Sequence, residues 1–157
     1  MRNDLSFDMP DGKYNYRVGA IIINNGRLLM VKGLDPYYYT VGGRVALHES
    51  TEEAVVREVF EETGITCEVE RLAFVHEVFF TLRNNGVRFH ELGFYFIIKP
   101  NASLGAIAAR QPLRDSAGDY FEWLLLNELG EIDLYPLFFK TKLQNLSGGI
   151  EHIVEQQ

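Results

Sequence analysis

Cysteine occurs once in the 157 residues, at Cys67. A lone thiol can neither close an internal disulfide nor build a cysteine-based zinc cluster. It suits a reducing compartment, and the expected location is cytoplasmic. Long apolar runs are missing too. The longest strongly apolar stretch, Val18 to Ile23, falls far short of the roughly 20 residues that a membrane span needs. The start, Met1-Arg2-Asn3-Asp4-Leu5, has no apolar export segment. The expectation is a soluble, unexported protein with no membrane partner. Positive charge is scarce, with 15 Lys and Arg against 22 Asp and Glu, a net charge of -7. That argues against general nucleic-acid binding, which calls for a basic surface. Small phosphorylated substrates stay open, because a divalent cation can bridge an acidic site to phosphate.

What is present is enough for a core: 46% of residues are hydrophobic and 24% are charged. The length suits one domain spanning 1–157, and no composition shift divides it. Tyr16 to Ile23 and Arg27 to Lys32 read as strands joined by the turn Asn24-Asn25-Gly26. Tyr37 to Val41 is a third extended segment, ending at Gly42-Gly43. A helix is predicted over Thr51 to Thr63. Further strands are expected at Cys67 to Phe80, with a break, and at Val87 to Lys99, around a second Asn-Asn-Gly turn at 84–86. Residues 101–118, with Gly105, Pro112 and Gly118, read as a long surface loop that influences substrate choice. Tyr120 to Leu126 reads as a strand, Leu134 to Leu143 as a final helix and Ile150 to Val154 as an edge strand. The order predicts a mixed α/β sandwich.

The helix carries the chemistry. Ser50 and Glu53 form a Ser-x-x-Glu capping box, and Gly64 supplies the stop. At about 100° per residue, Val55, Val56, Val59 and Phe60 should face the core. Glu58, Glu61 and Glu62, spaced i, i+3, i+4, gather on an adjacent sector. Like charges so spaced weaken a helix unless something offsets their repulsion, and a bound hard cation is a natural candidate. On the helix alone, a solvated acidic face is the default reading.

The wider spacing changes that. Gly43 is followed by five residues, Glu49, seven residues, and then Arg57-Glu58-Val59-Phe60-Glu61-Glu62-Thr63-Gly64-Ile65. This resembles the Nudix box, G-x5-E-x7-R-E-U-x-E-E-x-G-U with U aliphatic, at every fixed position. Average residue usage puts a chance match near ~1 in 10⁹ per starting position. The resemblance implies a Nudix-like α/β/α sandwich with a mixed β-sheet. It implies a nucleoside diphosphate-X pyrophosphohydrolase that cuts a phosphoanhydride bond by water attack on phosphorus. Its cofactor would be Mg²⁺ or Mn²⁺ and its partner a nucleotide-type small molecule; a homodimer stays open. Carried over residue by residue, Glu58 and Glu62 are the principal metal ligands. Glu61 is a further ligand or the base, and the Gly42 carbonyl is an additional ligand. Arg57 and Glu49 are catalytic-site residues that interact and orient the glutamates. One departure is Val41, where many members of the family carry Pro.

The substrate is less legible. Phe79-Phe80-Thr81-Leu82 lacks the proline that marks ADP-ribose pyrophosphatases downstream of the box. Tyr37, Tyr38 and Tyr39 fit either a base-stacking surface or a strand packed in the core. His76 and His90 read as satisfied sheet residues. Glu77, Glu91 and Asp119 read as solvated carboxylates with the option of acting as an extra base or ligand. The alternative function is a Nudix-like sensor that binds a nucleotide without cutting it. A ligand-free interaction domain is disfavoured, since nothing would then retain the crowded acids.

Overall fold

A computed structural model describes residues 2–157. The strands are β1 (Ser6–Met9), β2 (Gly12–Ile21), β3 (Ile23–Asn24), β4 (Arg27–Lys32) and β5 (Tyr38–Arg44). The long helix α1 (Thr51–Thr63) follows, then β6 (Val69–Thr81) and β7 (Arg88–Ile98). The remainder is the single turn α2 (Ala102–Gly105), β8 (Tyr120–Leu125), a 3₁₀ segment at Leu126–Glu131, β9 (Leu134–Tyr135), the single turn α3 (Phe139–Lys142) and β10 (Glu151–Gln156).

The fold is a mixed α+β sandwich on a mixed sheet. The strand order is β10-β6-β7-β2-β5-β4-β3, with β1 beside β2, β8 beside β4 and β9 beside β5. The pairs β2–β7, β6–β10 and β5–β9 are parallel. β5 joins the two halves of the sheet: Tyr38 to Thr40 pair with β4, and Val41 to Arg44 pair with β2. On one face, Val55 and Val59 of α1 pack with Val18, Ala20, Val41, Phe96 and Phe121. On the other, Ile21, Met30 and Phe74 pack with Leu129, Phe138, Phe139 and Leu143. Both faces therefore bury apolar surface, which is the main force holding the layers together.

Helix α1 has the predicted bounds because its ends are chemically marked. The Ser50 hydroxyl accepts from Glu53 N–H, the Glu53 carboxylate accepts from Ser50 N–H, and Gly64 closes the helix at φ 77°. Its orientation corrects one expectation. Phe60 does not face the core and is 48% exposed, whereas Glu58 and Glu62 are each only 6% exposed. The buried arc runs through Val55, Glu58, Val59, Glu62 and Thr63. The helix is thus rolled toward its acidic side, and the sheet receives the carboxylates in place of the phenyl ring.

Other corrections follow from backbone chemistry. The segment Leu134 to Leu143 is not one helix. Leu134 and Tyr135 pair with β5, and Pro136, unable to donate a backbone hydrogen bond, precedes the single turn α3. The first long strand starts at Gly12, not Tyr16, and is preceded by β1. The turn at Asn25-Gly26, with φ 51° and 73°, joins only the short β3 to β4; β2 itself pairs elsewhere. Residues 101–118 are not a plain surface loop, because Leu104, Ile107 and Leu113 are buried in the core on the α1 side. Arg114 N–H donates to the Glu62 carbonyl at 2.9 Å, tying this segment to the last turn of α1.

Candidate active site

The box loop and helix bring two carboxylates onto two adjacent glycines. Gly43 lies against Glu58 so closely that a Cβ there would overlap the carboxylate. Gly42 N–H donates weakly to Glu62 Oε1 at 3.4 Å, and a Cβ at Gly42 would strike the Val18 carbonyl. Glycine is required at both positions for close approach rather than for flexibility.

Arg57 organises the other acids. Its Nε and Nη2 donate to the two oxygens of Glu49 at 2.6 and 3.0 Å. Its Nη1 donates to Glu58 at 2.8 Å and to Glu61 at 3.3 Å, and Nη2 also donates to the Arg44 carbonyl. Glu49 in turn accepts from Ala46 N–H at 2.8 Å. This bidentate fork fixes direction as well as distance. The Arg57 hydrogen bonds hold Glu49 below the ordinary carboxylate range and raise Arg57 itself. Glu61 is turned outward, where Arg2 also donates to it at 2.8 Å. Glu58 and Glu62 thus converge, while Glu61 stands apart between two guanidinium groups. Among the described residues, no three acidic, histidine or cysteine side chains form a closed metal cage.

Glu62 is the anomaly. Its Oε2 is buried and has no hydrogen-bond partner among the described residues. Burial first, then the negative charges of Asp115 and Glu58, push its carboxyl well above the usual range. Burial likewise raises Glu58, although Arg57 opposes it. An orphaned buried carboxylate oxygen costs roughly 1–3 kcal/mol or more. A hard divalent cation would remove that penalty, and the all-oxygen donor set fits Mg²⁺ or Mn²⁺.

The flanking residues sort differently. The Tyr39 hydroxyl donates to Asp119 at 2.9 Å, and burial followed by that bond raises its pKa. Tyr39 packs against the core while Tyr37 meets Tyr135 edge to face, so the three tyrosines do not form one flat stacking surface. Glu77 meets His152 at 2.6 Å, and Glu91 accepts from Asn15 at 2.6 Å. His90 packs against Tyr14 and Phe79. His76 corrects the expectation of a satisfied sheet residue: it is only 3% exposed, and its Nε2 has no hydrogen-bond partner among the described residues. Arg2, Arg17 and Asp115 carry no signal in the sequence. Each is a lone charge on a strand, an arm or a loop, with no local spacing to mark it. A groove of about 700 Å³ between Phe7, Tyr14, Phe79 and Phe89 shares no lining residue with the acids.

A family profile described as NUDIX domain matches residues 13–142. The chain belongs to the Nudix family. It is 40% identical over 60 residues to a MutT-like protein of Streptomyces ambofaciens, a stretch covering 38% of this chain and 39% of that protein. The match therefore spans well under two thirds of that relative. In fold it resembles a MutT protein from Bacillus halodurans, with TM-score 0.58, 20% identity and 80% of each chain covered. It also resembles an ADP-ribose pyrophosphatase from Streptococcus suis, with TM-score 0.54, 18% identity, and coverage of 90% of this chain and 98% of that one. No helix among the described residues is long and apolar enough to cross a membrane.

Proposed function

We propose that this protein is a metal-dependent hydrolase that cuts a phosphoanhydride bond in a nucleoside diphosphate linked to a further moiety. The observation that carries this reading is the buried, unpartnered Oε2 of Glu62 beside Glu58 and the Gly42-Gly43 pair. Glu58 and Glu62 would hold Mg²⁺ or Mn²⁺, with the Gly42 carbonyl as a further oxygen ligand. When bound, such a cation neutralises diphosphate charge and activates water. Arg57, anchored by Glu49, keeps the Glu58 carboxylate aimed at the site. Glu61, turned outward and held by Arg57 and Arg2, would have to swing inward from these contacts to serve as the base or to complete the ligand set. A single domain over 1–157 and a cytoplasmic location, in keeping with the lone Cys67, belong to the same reading.

The test is a panel of nucleoside diphosphate derivatives assayed with each metal, with the phosphorus products identified by ³¹P NMR. Phosphoanhydride cleavage that stops in excess EDTA is the expected result. Full turnover in EDTA would overturn the metal-dependent mechanism. Metal-dependent nucleotide binding without product would replace the hydrolase with a sensor.

A further inference from the structure

The sheet face opposite α1 carries a second group of polar side chains. Cross-strand register fixes which residues share this face. One row runs Asn15, Glu91, Val78, Glu155 across β2, β7, β6 and β10, and the next runs Arg17, Gly93, His76, Ile153. Tyr95 lies one row further, opposite Gly19, and its ring lies back over Gly19 and Gly93, since a Cβ at either would overlap or crowd it. Arg17 is in register with Arg44 of β5, next to Gly43, so the strand that carries it also borders the box loop.

Two of these polar side chains are almost wholly buried: Asn15 is 2% exposed and His76 is 3% exposed. Asn15 is satisfied, donating to Glu91 at 2.6 Å and accepting from Ser6 at 2.6 Å. His76 is not. Its Nε2 stands 3.6 Å from Glu155 Oε2, too far for a good hydrogen bond, and finds no partner among the described residues. Phe138 closes one side of the His76 ring at 4.9 Å, and Tyr95 lies 6.0 Å away. A buried polar atom left unpaired in this way calls for an explanation, and a missing ligand is one. Burial lowers the His76 pKa, so the imidazole is neutral at pH 7.

We infer that this face, built from Arg17, His76, Glu91, Tyr95 and Glu155, holds the non-phosphate part of the substrate and selects an uncharged moiety rich in hydrogen-bond donors. Glu91 and Glu155, when ionised, are acceptors only, so they favour N–H or O–H groups. Their combined charge repels an anionic moiety. Tyr95, packed on Gly19 and Gly93 and edge to face against Phe138 and Phe139, backs this face, and Arg17 adds a positive charge that would attract a phosphate. The donors could come from nucleobase amines or from sugar hydroxyls, and the test separates the two. The inference rests on the proposed hydrolase for its substrate, but its own readout includes binding without turnover.

The full chain is assayed with Mg²⁺ on dGTP, dATP, dCTP and dTTP, and on UDP-glucose against UTP. Binding of dGMP, dTMP and UDP-glucose without metal is followed by thermal shift. The variants are Glu91→Gln and Glu155→Gln, which keep side-chain size and whose folding is checked by melting. His152→Gln, on the opposite face of β10, is the control. Each variant should lower the preference for donor-rich ligands about tenfold through KM, the loss of one charged hydrogen bond, with kcat retained. Loss confined to dGTP, dATP and dCTP identifies base amines; loss confined to UDP-glucose identifies sugar hydroxyls. Turnover with an unchanged ranking in both variants overturns the subsite and leaves the hydrolase standing. A variant-sensitive binding preference with no turnover by the parent does the reverse. Neither binding nor turnover overturns both.

Discussion

The charges around Arg57 and those around Glu62 and His76 lie in one small fold but are built in opposite ways. Every guanidinium nitrogen of Arg57 donates to a partner, and both oxygens of Glu49 are bonded. Glu62 Oε2 and His76 Nε2 are buried more deeply than the Arg57–Glu49 pair and have no hydrogen-bond partner among the described residues. A saturated network needs nothing further and acts as a rigid mount. An unsaturated buried atom is a standing cost that a ligand can remove. In the proposed reading, the difference separates the residues that would hold the site in place from those that would take cation or substrate.

The largest expected effect lies on the unsaturated side. Glu58→Gln or Glu62→Gln should lower turnover by about 10² or more, because the charge that would hold the metal is lost. Metal-free melting should hold or rise, since ionised Glu62 is disfavoured by its burial and its acidic neighbours. Glu52→Gln, on an exposed part of the same helix, should change little. Metal-dependent thermal shifts and initial rates measured together check this, and parental rates in both box variants would erase the contrast.

Arg57→Lys probes the mount. Lysine cannot reproduce the two-pronged contact with Glu49 while also reaching Glu58 and Glu61. We expect about 2 kcal/mol of lost stability from the partly buried acids left behind, together with slower turnover, read by urea unfolding and kinetics. A variant as stable as the parent would show that the saturated network is not a mount.

A smaller effect concerns pH. His76 binds its proton less readily in the fold than in the unfolded chain, because burial outweighs the pull of Glu155 and Glu91. The unfolded state therefore takes up protons first, and this contribution to stability is lost as pH falls through about 6.5. His76→Asn should flatten that part of the stability profile, measured by melting between about pH 5 and 8. An unchanged slope would place the titration elsewhere. The smallest effect is assigned to Arg2→Gln. Its bond to Glu61 joins side chains that are 40% and 35% exposed, so the stability change should stay below about 1 kcal/mol and shrink in salt. A larger, salt-insensitive loss would make the N-terminal arm part of the mount.

Much of this architecture is legible in the chain because it is local. The capping box at Ser50 and Glu53 and the left-handed Gly64 bound α1, while Asn85-Gly86 closes the β6–β7 hairpin. The edge strand expected at Ile150 to Val154 is present as Glu151–Gln156, paired in parallel with β6 at the sheet edge. Leu134 to Leu143 misleads for the converse reason. Its apolar spacing suits a helix, but the residues are buried by contacts with distant strands and by a turn at Pro136. The roll of α1 is equally non-local: Val56 and Phe60 satisfy a helical apolar stripe as well as Val55 and Val59 do.

The linear order of residues by itself determined the family, the helix with its ends, and the acids Glu49, Glu58, Glu61 and Glu62, all written within one loop and helix. Only the tertiary structure decided that Glu58 and Glu62 turn inward onto Gly42-Gly43 while Phe60 turns out. It also decided that Arg17, His76, Glu91 and Glu155 meet on one face. Helix ends depend on hydrogen bonds between residues a few positions apart. Convergence across β2, β7, β6 and β10 depends on strand order and register, which bring together side chains as distant in sequence as Asn15 and Glu155.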